Sequence, residues 1–291
     1  MGTWIGHIAP GVFFVFFALW WHIHNSLRYL RSIKLNGYTF QGSTTYPCSC
    51  LPSHGLRNLP IESIMKLLIT SIHFSIELYT GYGADPRPHI GDENAHHTAM
   101  LFGFWIGAWV EILVHKGVAL PKNIPQVMGF LAFAIEALMM VFHLHARSMV
   151  DAHVHKLLAL IIVCSMIGAL GESYDPNNFW FIVGRSFFAL TQGTWFLQIA
   201  FVIWPQTTHP LFVWDMNDHR SISLLTMSFA YHLAGNACVL IGVYLCIYTL
   251  YPVFSVVGPY DLIEKEKLHL INEDVSEYKP ININSDIEEN V

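Results

Sequence analysis

Seventeen histidines stand in a chain of 291 residues whose Asp, Glu, Lys and Arg together make up only 12%. Several are spaced to meet a carboxylate or an amide. His73 and Glu77 are four apart, as are Glu111 and His115, and His232 and Asn236; His143 follows Glu136 by seven. On a helix these spacings put both side chains on one face. Neutral imidazole with carboxylate is a ligand set that suits Zn²⁺, and three protein ligands plus water make a catalytic rather than a structural centre. The expected metal set is His97, His143, His232 and Glu136, with His73 and Glu77 as further ligands or as groups that orient them. In a hydrolytic version acting on a lipid, Glu136 is the general base and the three histidines hold zinc. Two blander readings use the same residues: hydrogen bonds that cross-link helices, and a relay of protons between His and Glu.

The elements that must position these side chains are membrane helices. Hydrophobic residues make up 53% and aromatics 14%, with a mean hydropathy of +0.42. That excludes a disordered chain, a collagen and a small disulfide scaffold, and argues against an ordinary cytosolic enzyme. A bilayer core of ~30 Å needs about 20 mostly apolar residues in a helix. Seven stretches qualify: Ile8–Tyr29, Ile61–Thr80, Ala95–His115, Ile124–Ala146, His153–Gly171, Asn178–Trp204 and Ile222–Tyr251. The second is the weakest, because Lys66, His73 and Glu77 interrupt it. The fold class expected is therefore all-α, a polytopic seven-helix transmembrane bundle over residues 1–254, followed by an acidic, disordered cytosolic tail over 255–291.

Lysine and arginine set the orientation. With the N-terminus outside, nine fall in inside segments: Arg28, Arg31, Lys34, Arg57, Lys116 and Lys122, with three more in the tail. Only Arg87, Arg147, Lys156 and Arg220 fall outside. On that orientation His73, Glu77, His97, His143 and His232 all reach the outer half, with Glu136 near mid-span. His89, His96, His145, His153 and His155 read as wet residues at the interface, and His22 and His24 sit at headgroup level. Trp20, Trp21, Trp180, Trp195, Trp204 and Trp214 read as an aromatic belt. Arg185 needs a counter-charge, for which Glu172 and Glu111 are candidates; Glu111 otherwise pairs locally with His115.

All six excess negative charges lie beyond Ser255, so the body is neutral, which does not suit a nucleic-acid partner. The partner is the lipid bilayer, of the plasma membrane or the secretory pathway. Tyr260–Ile263 and Glu266 with Leu270-Ile271 match short signals read by sorting adaptors, which makes a structural or trafficking protein the third functional reading. Cys164, Cys238 and Cys246 read as small core residues, and Cys48 and Cys50 as juxtamembrane thiols open to palmitoylation.

A set of ordered motifs goes further. Gly6-His7, Pro10-Gly11 and Trp20-Trp21 open the chain. His97-Thr98, Glu136 with His143-Leu-His145-Ala-Arg147, Asp151-Ala-His153-Val-His155 and Gln192-Gly-Thr-Trp-Phe-Leu-Gln198 follow, then Trp214-Asp215 and Tyr231-His232. In these the chain resembles the transmembrane protein 45 family, and within it the transmembrane epididymal proteins, over about residues 1–250. The resemblance implies a seven-helix multi-pass membrane protein and brings no reaction with it. The long first loop, Tyr38–Leu59, and His73 depart from the family pattern. A likeness to seven-helix metal-dependent lipid hydrolases is slight: Asn236 stands where their last helix carries a second histidine.

Overall fold

The computed structural model describes residues 3–35, 37–46, 59–83, 89–142, 147–209 and 213–257. The chain divides into two units, Met1–Thr249 and Leu250–Val291. Among the described residues the elements are helices α1 (Trp4–Lys34) and α2 (Ile61–Gly81), strands β1 (Tyr82–Gly83) and β2 (His89–Ile90), and then helices α3 to α7. These last run Asp92–His115 (α3), Ile124–Phe142 (α4), Met149–Tyr174 (α5), Phe179–Ile203 (α6) and His219–Val257 (α7).

Six of these helices are long and apolar enough to cross a membrane. The helix outside that set is α2, where Glu62, Lys66 and Glu77 dilute the apolar run. Helix ends follow local chemistry. Thr3 caps α1 by accepting from the Gly6 N–H at 3.0 Å, Ser148 caps α5 through Asp151 N–H, and Asn178 caps α6 through Trp180 N–H. The expected fourth span ran to Ala146; α4 is described to Phe142, and residues 143–146 lie outside the described set. The last helix runs to Val257, past the start expected for the tail.

Consecutive helices from α2 to α6 pack in chain order, and α1 returns to lie along α6. The α1–α6 crossing is close because both sides are glycine. A Cβ on Gly193 would fall 2.7 Å from the Val15 backbone nitrogen and 2.8 Å from the Gly11 carbonyl oxygen. Small residues at such crossings let backbones approach, which is how helices associate where lipid removes the usual hydrophobic drive. α5 and α6 are the most buried helices. Their core cluster includes Val154, Leu158, Ile162, Trp195 and Ile199, with Leu225 and Phe229 from α7. The outward faces are apolar as well: Leu131 and Leu138 of α4, Leu160 and Ile167 of α5, and Ile241 and Leu245 of α7 are exposed.

Cys164 packs partly against that core, whereas Cys238 and Cys246 are exposed on α7, which corrects their reading as core residues. Cys48, Cys50 and both tail signals lie outside the described residues.

Candidate functional site

The end of the bundle that holds the start of α1 carries two groups of polar side chains. In the first, Glu77 near the end of α2 lies between two imidazoles. His73 Nε2 is 3.5 Å from its Oε1, and His97 Nδ1, on α3, is 3.2 Å from its Oε2. Asn94 Nδ2 adds a bond to Oε2 at 2.7 Å and another to the Thr80 hydroxyl at 3.2 Å. The β1–β2 pairing holds these helix ends together, with Tyr82 opposite Ile90 and Gly83 opposite His89. Gly91 N–H donates to the Gly81 carbonyl at 2.9 Å, closing the turn that brings Asn94 and His97 over α2.

The second group joins α1 to α5. His7 Nε2 and His155 Nε2 meet at 3.3 Å. His7 Nδ1 faces the Thr3 carbonyl at 3.1 Å. His155 Nδ1 faces the Asp151 carbonyl at 2.9 Å and its carboxylate Oδ1 at 2.8 Å. Arg147 Nη1 grips both oxygens of that carboxylate, at 2.8 and 3.0 Å. His7 and His155 are 7% and 2% exposed, so both rings are inside the protein. His97 is an electrostatic neighbour of His7, which places the two groups at one end.

Deeper in the bundle, Glu136 is buried and accepts from Gln192 Nε2 at 2.8 Å. Its Oε2 has no hydrogen-bond partner among the described residues. Ser165 Oγ reaches Gln192 Oε1 at 3.4 Å. The next turn of α6 carries on toward α7: Asn236 Nδ2 donates to Thr194 Oγ1 at 2.9 Å and Thr191 Oγ1 at 3.2 Å. His232 lies edge-on to the Trp195 ring, with centroids 5.4 Å apart.

The opposite end is a dense ionic knot. Glu62 accepts from Trp21 Nε1 at 2.7 Å, Trp20 Nε1 at 3.0 Å and the Tyr46 backbone N–H at 2.8 Å. Lys66 Nζ sits between Glu62, at 2.9 Å, and Glu111, at 3.0 Å, and donates to the Thr44 carbonyl. Arg185 Nε lies 2.9 Å from Glu172 Oε2, and its guanidinium stacks 4.5 Å from the Trp21 ring centre. The Tyr46 hydroxyl donates to Asn25 Oδ1, and burial pushes this phenol above its ordinary range. Every charge here has an opposite charge or a donor beside it, which is how a bundle keeps ionisable groups away from lipid.

The structure thus brings together His73, Glu77 and His97, and it distributes the other expected site residues. Glu136 is joined to Gln192 and His232 lies against Trp195, while His97 meets Glu77; His143 lies outside the described residues. Among the described residues no three His, Cys, Asp or Glu side chains are placed to hold a metal ion together. Several readings change. His155, expected to be wet, is buried and bonded, and the spacing of Asp151 and His155 by four was the available signal. His7 had no such local partner in the sequence. His22, expected among headgroups, is buried with Nε2 2.9 Å from the Leu240 carbonyl. Trp20, Trp21 and Trp195 are not belt residues: two bind Glu62, and Trp195 is fully buried with its N–H on the Val154 carbonyl at 2.9 Å. Trp180, 77% exposed, fits the belt. Arg185 takes Glu172, as expected, while Glu111 pairs with Lys66 across two helices.

Residues 122–245 match the model of a family of unknown function, DUF716. The chain is a multi-pass membrane protein that is similar to the DUF716 family over this segment. Over 258 residues it is 27% identical to Transmembrane epididymal protein 1A of Mus musculus, covering 84% of this chain and 80% of that protein. It is equally similar, over the same shares, to Transmembrane epididymal protein 1 of Rattus norvegicus. The Homo sapiens protein of that name is 30% identical over 108 residues, 37% of this chain and 38% of its own. The DUF716 segment holds Glu136, Gln192, His232 and the Asp151–His155 run. His7, Glu77 and His97 lie ahead of it.

Proposed function

We propose that this chain is a seven-span membrane protein of the transmembrane protein 45 type, with its N-terminus exoplasmic and its acidic tail cytosolic. At its exoplasmic end, histidine and carboxylate side chains bind a metal ion or a small polar ligand. The observation that carries this is Glu77, held between imidazoles from two helices and further fixed by Asn94. A carboxylate so placed is oriented before any ligand arrives, and intramembrane ionisable groups that face one another mark binding sites and ion pathways.

The seventh span is α2. Its charges turn inward, Lys66 to Glu62 and Glu111, and Glu77 to His97. Met65, Leu68, Ile72, Ile76 and Tyr79, three or four apart, form an exposed apolar stripe that suits lipid. The excess of lysine and arginine on one side supports the orientation. The chain has no Asn-x-Ser/Thr acceptor of its own, so one added before Thr3 reports topology directly: a glycan is expected there, and none on an acceptor added to the tail.

Ligand binding is tested by thermal unfolding of the full chain in detergent against a panel of divalent metals and small polar solutes. The reading requires at least one compound that stabilises the wild type and loses its effect in Glu77→Gln. A panel that shifts neither protein leaves only the membrane scaffold.

A further inference from the structure

We propose that Glu136, on α4, is a proton-binding site within the membrane: in the folded chain its carboxyl is the neutral acid, with the proton on Oε2, and it exchanges that proton when water enters the middle of the bundle. Its partners carry the inference. Glu136 is 4% exposed, and its Oε1 accepts from Gln192 Nε2 at 2.8 Å. The Ser165 hydroxyl lies 3.4 Å from Gln192 Oε1, which fits an amide that turns its oxygen to Ser165 and its NH₂ to Glu136. Oε2 is buried and has no hydrogen-bond partner among the described residues, and Glu136 makes no ion pair with any of them.

Elsewhere in the bundle, acids face cations or imidazoles. Glu62 and Glu111 share Lys66, Glu172 has Arg185, Asp151 has Arg147 and His155, and Glu77 has His73 and His97. Glu136 lacks such a neighbour because the helices around it carry their charges toward their ends. α3 and α5 pack on α4, Phe14 of α1 stacks with Phe133, and α6 supplies Gln192. Residues 8–21 of α1, 98–110 of α3, 157–171 of α5 and 186–203 of α6 hold a single titratable side chain, Cys164. His232 of α7 lies against Trp195, and His143 lies outside the described residues. At a rise of about 1.5 Å per residue, Glu136 stands about 18 Å from the start of α4 and about 9 Å from its last described residue. A carboxylate there, with one neutral donor and no opposite charge, costs far more than a carboxylic acid, so the group keeps a proton. Oε1 is engaged as an acceptor, which leaves Oε2 to bear the hydrogen. An O–H with no fixed acceptor can pass its proton on, and ionisable groups inside membranes mark proton pathways. The site is separate from the Glu77 group and does not depend on a ligand there.

The test is infrared spectroscopy of the full chain in lipid nanodiscs, comparing wild type with Glu136→Gln at neutral pH. The wild type should show a neutral-carboxyl C=O stretch that the variant loses, and D₂O should lower its frequency as the O–H exchanges. Stepped to alkaline pH, the wild type should lose that band, gain carboxylate absorption and release a proton that the variant does not. Gln192→Leu, which removes the donor to Oε1, should keep the acid and raise the frequency of its C=O. If Glu136→Gln does not fold, Glu136→Asp keeps an acid and displaces the band, which makes the same assignment. A neutral wild type with no acid band overturns the proposal without any variant, as does an acid band that Glu136→Gln and Glu136→Asp leave unchanged. An assigned band that neither exchanges with D₂O nor responds to alkaline pH in the folded protein also overturns it, since that proton is only structural. None of these results touches the reading at Glu77.

Discussion

Gln192 donates from its amide to Glu136 at 2.8 Å, joining α6 to a carboxyl group buried in α4. Neither residue has a charged partner in that contact, and one oxygen of Glu136 stays unbonded among the described residues. Gln192 is also reached by the Ser165 hydroxyl, so three helices meet through one amide. The same short run of α6 supplies Gly193 to the close crossing with α1 and Thr194 to the bond with Asn236. One stretch of sequence therefore sets three helix contacts.

Gln192→Leu should destabilise the protein by about 1–3 kcal/mol, the cost of leaving a buried polar partner unsatisfied. Changing both residues, Gln192→Leu with Glu136→Leu, should recover part of that loss, because no polar atom is then stranded. Thermal unfolding of the two variants in detergent checks this; a double variant less stable than Gln192→Leu alone would contradict it.

Three glycines should rank in a fixed order when changed to alanine. At Gly193 the new methyl meets backbone, 2.7 Å from Val15 N, and a loss of about 1–3 kcal/mol is expected. At Gly11 the nearest atom belongs to the flexible Leu197 side chain, at 2.8 Å, so the loss is smaller. At Gly235, where nothing lies within 4 Å, alanine should be neutral or stabilise the helix, by up to about 1 kcal/mol. Unfolding midpoints in a single detergent give the order.

Lys66 is the hinge of the ionic knot, since it pairs with both Glu62 and Glu111. Lys66→Met leaves two carboxylates facing each other and should cost about 3–5 kcal/mol, as breaking a buried pair does. Adding Glu111→Gln to that variant removes the stranded charge and should restore a measurable part of the loss, read as folded yield from membranes and as unfolding midpoint.

Glu77 and His97 should be energetically coupled. A double-mutant cycle with Glu77→Gln and His97→Gln is expected to show a coupling energy of about 0.5–3 kcal/mol, the range for side chains in direct contact. Additive effects would mean that the two helices do not bond there.

What the sequence revealed, and what it did not, follows from range. Helix positions were legible because apolar runs and their breaks are local. The pairing of His73 with Glu77 was legible for the same reason, since both stand on one helix face. Arg185 with Glu172 could be anticipated because a buried cation must find an acid. The meeting of His7 with His155, 148 positions apart, has no local signature and appears only when α1 lies along α6 beside α5. Trp20 and Trp21 misled because a tryptophan near a helix end suits a membrane interface and a buried carboxylate equally well, and only the fold shows Glu62 beneath them. The neighbours of the expected metal set are also long-range, and His143 lies outside the described residues. His97 meets Glu77 of α2, Glu136 meets Gln192 of α6, and His232 lies against Trp195 of α6.

The imidazole nitrogens of His73 and His97 would report a bound ligand most directly. In full-length protein labelled with ¹⁵N-histidine, the ring signals of His73 and His97, identified by their loss in His73→Gln and His97→Gln, should move when a stabilising metal or polar solute is added, and should stay still in Glu77→Gln. Ring signals at these positions that respond to no added compound in the wild type would contradict the claim that this end of the bundle is a binding site.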